Sequence, residues 1–156
     1  MSEPNVFLVV VDNTTEMRVA LKYASIRAMR TGGRVGLLRV VRKGDLQHWA
    51  AIGHLMREEA REQAEQLLQE HAATVSELTK GEMPILYIKE GDTKSALVKL
   101  INEDNQISSL VLAASTNKRG PGPLIMYFTK KLMGKLRIPV TIVPGDIKDD
   151  HIDKLV

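Results

Sequence analysis

Hydrophobic residues in this chain come in short unbroken runs, separated by longer stretches in which they recur every three or four positions. Val6 to Val11 is an uninterrupted apolar run closed by Asp12-Asn13-Thr14-Thr15, the pattern of a strand covered on both faces. Asn13 followed by Glu16 predicts a capping box. Met17, Ala20, Leu21, Ala24 and Ala28 then hold helical spacing until Gly32-Gly33 stops the helix. Arg34 to Val41 supplies a second strand through Val35, Leu37, Leu38, Val40 and Val41. A strand, a helix and another apolar strand favour a right-handed parallel crossover.

The stretch from Asp45 to Leu78 predicts a long helix. Its apolar stripe is Trp49, Ile52, Met56, Ala60, Ala64, Leu67, His71, Val75 and Leu78, with EEAREQAEQ turned to water. Met83 to Lys89 reads as strand three, and Gly91-Asp92-Thr93 as a turn in which Asp92 caps a helix carrying Leu97, Leu100 and Ile101. Leu110 to Ala114 is strand four. Leu124 to Leu136 is a helix using Leu124, Phe128, Leu132 and Leu136, and Pro139 to Val143 is strand five, ended by Pro144-Gly145. The tail DIKDDHIDKLV makes one helical turn or frays.

Five strands alternating with four helices, with no repeat and no separating linker, predict one α/β domain over 1–145 and a short tail over 146–156. The expected architecture is a three-layer sandwich around a mostly parallel sheet. Ligands of such sheets sit at the carboxyl ends of the strands, where the strand order reverses. With the order 3-2-1-4-5 that point lies between strands one and four. Its crevice is lined by Val10, Val11, Asp12, Val40 and the loop after strand four.

Composition narrows the class. A chain of 156 residues with 44% hydrophobic and 26% charged residues is long enough for one sizeable core and is not a disordered composition. Aromatics are scarce at 4%, so the core is aliphatic, with the 7 methionines filling gaps. A formal charge of +3, dispersed along the chain, does not argue for a nucleic-acid partner. The absence of cysteine excludes a disulfide framework, a thiolate metal site and a cysteine nucleophile. No run approaches the ~20 apolar residues of a membrane span, and MSEPNVFLVVVDNTTE has no secretory pattern. The expectation is a cytoplasmic protein.

The most unusual local composition is ASTNKRGPGP, residues 114–123, directly after SSLVLAA. Glycines let backbone amides approach a ligand, Ser115 and Thr116 add donors, Lys118 and Arg119 add charge, and a helix follows. Pro121 and Pro123 each delete one amide from the same loop. The loop therefore reads either as an anion cradle or as a rigid exposed turn. Asp12 reads either as a ligand acceptor or as a cap for the first helix, and Met126 and Tyr127 either close over a base or pack against the core. His48, His54, His71 and His151 show no metal-ligand spacing. Asp149, Asp150 and Asp153 beside His151 chelate an ion or are simply solvated. No G-x-x-x-x-G-K-[ST], G-x-S-x-G or H-E-x-x-H is present, so no catalytic or metal residues are assigned. The last strand, VTIV between two prolines, is short and apolar. It reads as a sheet edge that pairs with a second copy or is covered by the tail.

Taken in order, VVVDNTTE with ALKYA, IKEGDTKSALVKLI, SSLVLAAST and LRIPVTIVPG resemble the universal stress protein family over essentially the full chain. The resemblance implies an adenine nucleotide alpha hydrolase-like fold, a homodimer joined through the last strand (Val140, Thr141, Ile142, Val143) and, in one branch, bound ATP with magnesium. Asp12 matches the aspartate facing the nucleotide, and Val40 the residue whose backbone meets adenine. The ATP-binding branch ends strand four with a glycine, has another three residues on, and after nine residues a glycine followed by serine or threonine. Ala114 and Asn117 stand at the first two places, Met126 and Tyr127 at the last, and Gly120 and Gly122 make a substitute turn. The resulting expectation is a stress-response sensor or regulator with at most slow hydrolysis, in which Val10, Asp12 and Val40 hold the nucleoside. Ala114, Ser115, Thr116, Gly120 and Gly122 then surround the phosphates. The alternative is a nucleotide-free homodimeric interaction protein of the same fold, and a nucleotidyl-transfer enzyme is disfavoured by the missing histidine and lysine signatures.

Overall fold

The computed structural model describes residues 3–42, 53–131 and 136–156. Their elements are β1 (Val6–Val10), α1 (Met17–Thr31), β2 (Arg34–Val41), α2 (Gly53–Leu78) and β3 (Ile85–Glu90). They continue with α3 (Thr93–Glu103), β4 (Ile107–Ala114), α4 (Pro123–Lys130), β5 (Val140–Pro144) and α5 (Asp149–Leu155). The five strands form one sheet in the order β3-β2-β1-β4-β5. Every neighbouring pair is parallel.

Residue alternation sorts the strands between two cores. Leu8 and Val10 of β1, Leu38 and Val40 of β2, and Leu110 and Leu112 of β4 pack with Leu97, Ile101, Ile125 and Phe128, on the face covered by α3 and α4. Val9, Val35, Leu37 and Val111 meet Ala20, Leu21, Ala24, Leu68, Ala72 and Val75, on the face covered by α1 and α2. Both faces of the central strands are thus buried, which is why their sequences are continuous rather than alternating.

Several local expectations are corrected. The capping box at Asn13 does not form: Glu16 is the N-cap of α1 and makes no side-chain cap bond. Instead Asp12 Oδ1 accepts from the Thr14 amide at 2.9 Å and its hydroxyl at 2.5 Å, a local turn that competes with a helix cap. The stripe of α2 keeps Ala64 and Val75 but shifts by one residue between them, because Leu68 and Ala72 are buried while Leu67 and His71 are only half-buried. The predicted start of that helix, with Trp49 and Ile52, lies outside the described residues, as does Leu132 of the predicted fourth helix, whose described part ends at Lys130. Strand four begins at Ile107, three residues before the expected start, and strand three at Ile85, leaving Met83 exposed.

The tail does not fray. Ile152 is fully buried, and α5 lies against α1. Lys22 Nζ donates to the Asp149 carbonyl at 3.1 Å and pairs with the Asp149 and Asp153 carboxylates at 3.7 and 3.8 Å. Arg30 donates to the Asp153 carbonyl at 3.1 Å. These aspartates are therefore ion-paired to α1. Among the described residues no group of three or more His, Asp or Glu is placed to hold a metal, and no helix is long and apolar enough to cross a membrane.

Candidate functional site

The neighbouring strands β1 and β4 send their chains to opposite faces of the sheet. After β1 the chain enters α1 on one face, and after β4 it enters α4 on the other. Among the described residues none fills the space between the two departing segments, and a crevice opens at the carboxyl end of the sheet. It is a cleft of about 450 Å³, within the range of pockets that hold small ligands. Val10, Val11, Val111 and Leu112 give it an apolar side, and its remaining lining mixes apolar residues such as Met17, Leu124 and Ile125 with polar and charged ones.

Of the site residues expected from the sequence, Val10, Val11, Asp12, Val40 and Gly122 line this cleft together. Asp12 keeps one oxygen turned to Thr14, and no bond to its Oδ2 exists among the described residues. A carboxylate oxygen held by a fixed partner is well placed to accept from an exocyclic amine or a ribose hydroxyl. Val40 runs past Val10–Leu38, the last paired position of β1 and β2. Ala114, Ser115, Thr116 and Gly120 lie outside the lining. Ala114 ends β4 opposite Pro144, and Thr116 is exposed.

The loop after β4 closes on itself. The Ser115 amide donates to the Pro121 carbonyl at 2.9 Å, and the Gly120 amide to the Asn117 carbonyl at 3.1 Å. The Asn117 amide donates to Ser115 Oγ at 3.1 Å, and the Arg119 amide to Asn117 Oδ1 at 3.4 Å. Gly120 and Gly122 adopt φ of 106° and 119°, which only glycine takes without strain. Tyr127 is half-buried, with its ring edge-on to Phe128 at 5.4 Å between centroids, while Met126 is exposed.

The cleft also gathers charges that the sequence pattern does not assign to it: Arg39, Arg42, Lys94, Glu16 and Asp92. Asp92 accepts from the Ser95 amide at 3.0 Å and hydroxyl at 3.1 Å, capping α3 as expected. Those bonds hold its carboxyl below the usual range, and the nearby Lys94 and Arg42 add to the effect. Arg39 donates to the Val11 carbonyl at 3.2 Å. The Lys94 ammonium lies 5.3 Å from the Tyr127 ring centre. Neither Arg42 nor Lys94 has a carboxylate within ion-pair distance among the described residues. The signal in the sequence is a cation inside and another just after an apolar strand, Leu-Leu-Arg-Val-Val-Arg, and a third two residues beyond Gly-Asp.

On the far edge, Val140 packs against the α3/α4 core, Thr141 is half-buried, Ile142 is 41% exposed and Val143 is buried among the α1/α2 residues.

Comparison with known proteins places this geometry. No curated protein matches the sequence significantly. Among solved structures, the universal stress protein UspA from Lactobacillus plantarum superposes with a TM-score of 0.72 at 18% identity, over 92% of this chain and 99% of that one. A universal stress protein in complex with cAMP gives 0.65 at 15% identity, over 93% and 100%. The Archaeoglobus fulgidus universal stress protein in complex with dAMP gives 0.61 at 14%, over 92% and 99%. At such identities the likeness establishes the fold, which is adenine nucleotide alpha hydrolase-like. The sequence profile of the universal stress protein family matches residues 5–144, the whole span from before β1 to the last residue of β5, and with it the chain belongs to the universal stress protein family.

Proposed function

We propose that this protein is a stress-response sensor or regulator that takes an adenine nucleotide in the cleft between β1 and β4. The observation that carries the reading is the cleft itself, which sits where parallel sheets of this order bind ligands and has the volume for one. Val10 and the apolar side would receive the base, Asp12 Oδ2 would accept from the adenine amine or ribose, and Val40 would meet the base edge. Relatives crystallised with cAMP and dAMP support the ligand class. ATP with magnesium is the ligand that the sequence resemblance names. The nucleoside end of the cleft fits it, whereas Ala114, Ser115, Thr116 and Gly120 are a poor fit for a triphosphate, because the loop's amides are tied to the loop itself. No catalytic role is assigned to any residue. A cysteine-free chain suits a cytoplasmic setting.

The test is calorimetric titration with adenosine, AMP, cAMP and magnesium-ATP up to millimolar concentration, with mass spectrometry of whatever the fresh protein releases on denaturation. Heat from any of the four supports the reading, and none from all of them overturns it.

A second reading is favoured by one feature. β5 is a sheet edge carrying the exposed Ile142, and an exposed edge is a template for pairing with another copy. A homodimer joined along Val140 to Val143 would act as an interaction protein whether or not a nucleotide is bound. Sedimentation over a concentration series decides it, with a constant monomer mass as the adverse result.

A further inference from the structure

We infer that the cleft is selective for a nucleotide bearing a single phosphate, linear or cyclic, held by the side-chain charges of Lys94 and Arg42 instead of a glycine-loop cradle. The inference rests on the adenine reading and goes beyond it by stating how many phosphates the site accepts.

Two independent observations carry it. The first is the state of the amides in the loop from 115 to 123. A polyphosphate needs several backbone N–H groups converging on it. Here the amides of Ser115, Asn117, Arg119 and Gly120 all donate within the loop, and Pro121 and Pro123 have none to give. Thr116, Lys118 and Gly122 remain, and of these only Gly122 lines the cleft, joined there by Leu124 and Ile125 of the first turn of α4, a helix N-terminus of the size that meets one phosphate. Freeing the four bonded amides would require the turn to be broken, losing the bonds that shape it.

The second is the state of the charged side chains in the cleft. Its carboxylates are engaged locally: Asp12 by Thr14, Asp92 by Ser95, and Glu16 by the Thr15 hydroxyl at 3.3 Å. Its cations Arg42 and Lys94 are not ion-paired among the described residues. Both act on Asp92, which locates them at one rim, where the end of β2 meets the start of α3. Lys94 reaches from that rim toward α4 over the Tyr127 ring. An ammonium and a guanidinium that share only the exposed, helix-capping carboxylate of Asp92 keep charge to spare for one phosphate, which accepts charge-assisted bonds from both. Lys118 and Arg119 are also positive but exposed and outside the lining, so they raise the local potential without shaping a subsite.

Calorimetry with adenosine, AMP, cAMP, ADP and magnesium-ATP on the full chain tests this. AMP or cAMP should bind about tenfold or more tightly than both adenosine and magnesium-ATP, the effect of one additional charge-assisted hydrogen bond. Lys94→Gln should bring AMP down to near the adenosine affinity, Lys94→Arg should retain most of it, and unchanged thermal unfolding of both variants shows that the fold is intact. Raising the salt concentration should weaken AMP binding and leave adenosine largely unaffected. Magnesium-ATP binding as tightly as AMP overturns the inference while leaving the adenine reading intact. So does a loss of affinity on neutralising Lys118 and Arg119 instead of Lys94. Silence from every compound, adenosine included, removes both.

Discussion

The two ends of the sheet are built in opposite ways. At the amino-terminal rim the chain is stitched to itself. The Asn5 and Val6 amides donate to the Gln106 carbonyl at 3.0 and 2.9 Å, the Arg34 amide to the Asn5 carbonyl at 2.9 Å, and the Arg34 side chain to the Met83 carbonyl at 2.8 Å. Arg137 gathers three carbonyls, those of Ile101, Ile107 and Asp104. Tyr87 donates to Asp104 Oδ2 at 2.8 Å, and burial together with that bond raises its phenol well above the ordinary value. At the carboxyl-terminal rim, by contrast, Arg42 and Lys94 lack ion-pair partners among the described residues and both line the cleft. Guanidinium groups occur at both rims. At one they satisfy carbonyls left over from helix and strand ends, and at the other Arg39 does so for Val11 while Arg42, without an ion-pair partner among the described residues, lines the cleft. Stability is thereby concentrated at one end, and groups free to meet a ligand at the other.

Substitutions can pull this contrast apart. The largest effect is expected from Ile107→Ala, which empties a fully buried site at the start of β4 and should cost about 3 kcal/mol in urea unfolding. Arg137→Ala at the same rim strands several carbonyls at once and should cost about 1–2 kcal/mol by the same measurement. Nucleotide affinity of the folded fraction should be unchanged in both, and a parallel loss of affinity would show that the rims are not separable. Arg42→Gln, at the open rim, should alter stability by less than about 0.5 kcal/mol while weakening AMP, and a large shift in the unfolding midpoint would contradict the division. The smallest effect concerns His71 on α2, whose pKa burial lowers below its ordinary 6.5, more than Glu70 raises it. Since the fold prefers the neutral ring, the unfolded chain binds more protons on the acid side. This contribution is present above 6.5 and lost as the pH falls below it. His71→Gln should flatten that part of the pH–stability profile, and identical profiles would dismiss the effect.

What the sequence displays follows the same division. The central strands are legible because burial on both faces demands apolar runs, unbroken in Val6–Val10 and interrupted within Arg34–Val41 only by Gly36 and Arg39. The crevice is legible because strand order and parallel direction place it. The register of α2 is not, since Leu67-Leu68 and His71-Ala72 satisfy a 3.6-residue repeat equally well and only the facing strands choose between them. The Asn13 capping box misleads because Asp12, one residue earlier, folds back onto Thr14 first. The charged lining escapes notice for a different reason. Arg39, Arg42 and Lys94 are unremarkable letters until β2 and α3, far apart in the sequence, are brought to one rim. The tail is ambiguous because seven residues are too few to announce a helix without the α1 surface that receives them.

That attachment sets which letters of the tail can drift. Lys22 and Arg30 grip α5 by the main-chain oxygens of Asp149 and Asp153, atoms that every amino acid possesses. Exchanging either aspartate for a neutral residue leaves those two bonds in place and removes only distant, water-screened attractions. Ile152 enjoys no such latitude: it is the peg, and a polar residue there would unfasten the whole segment.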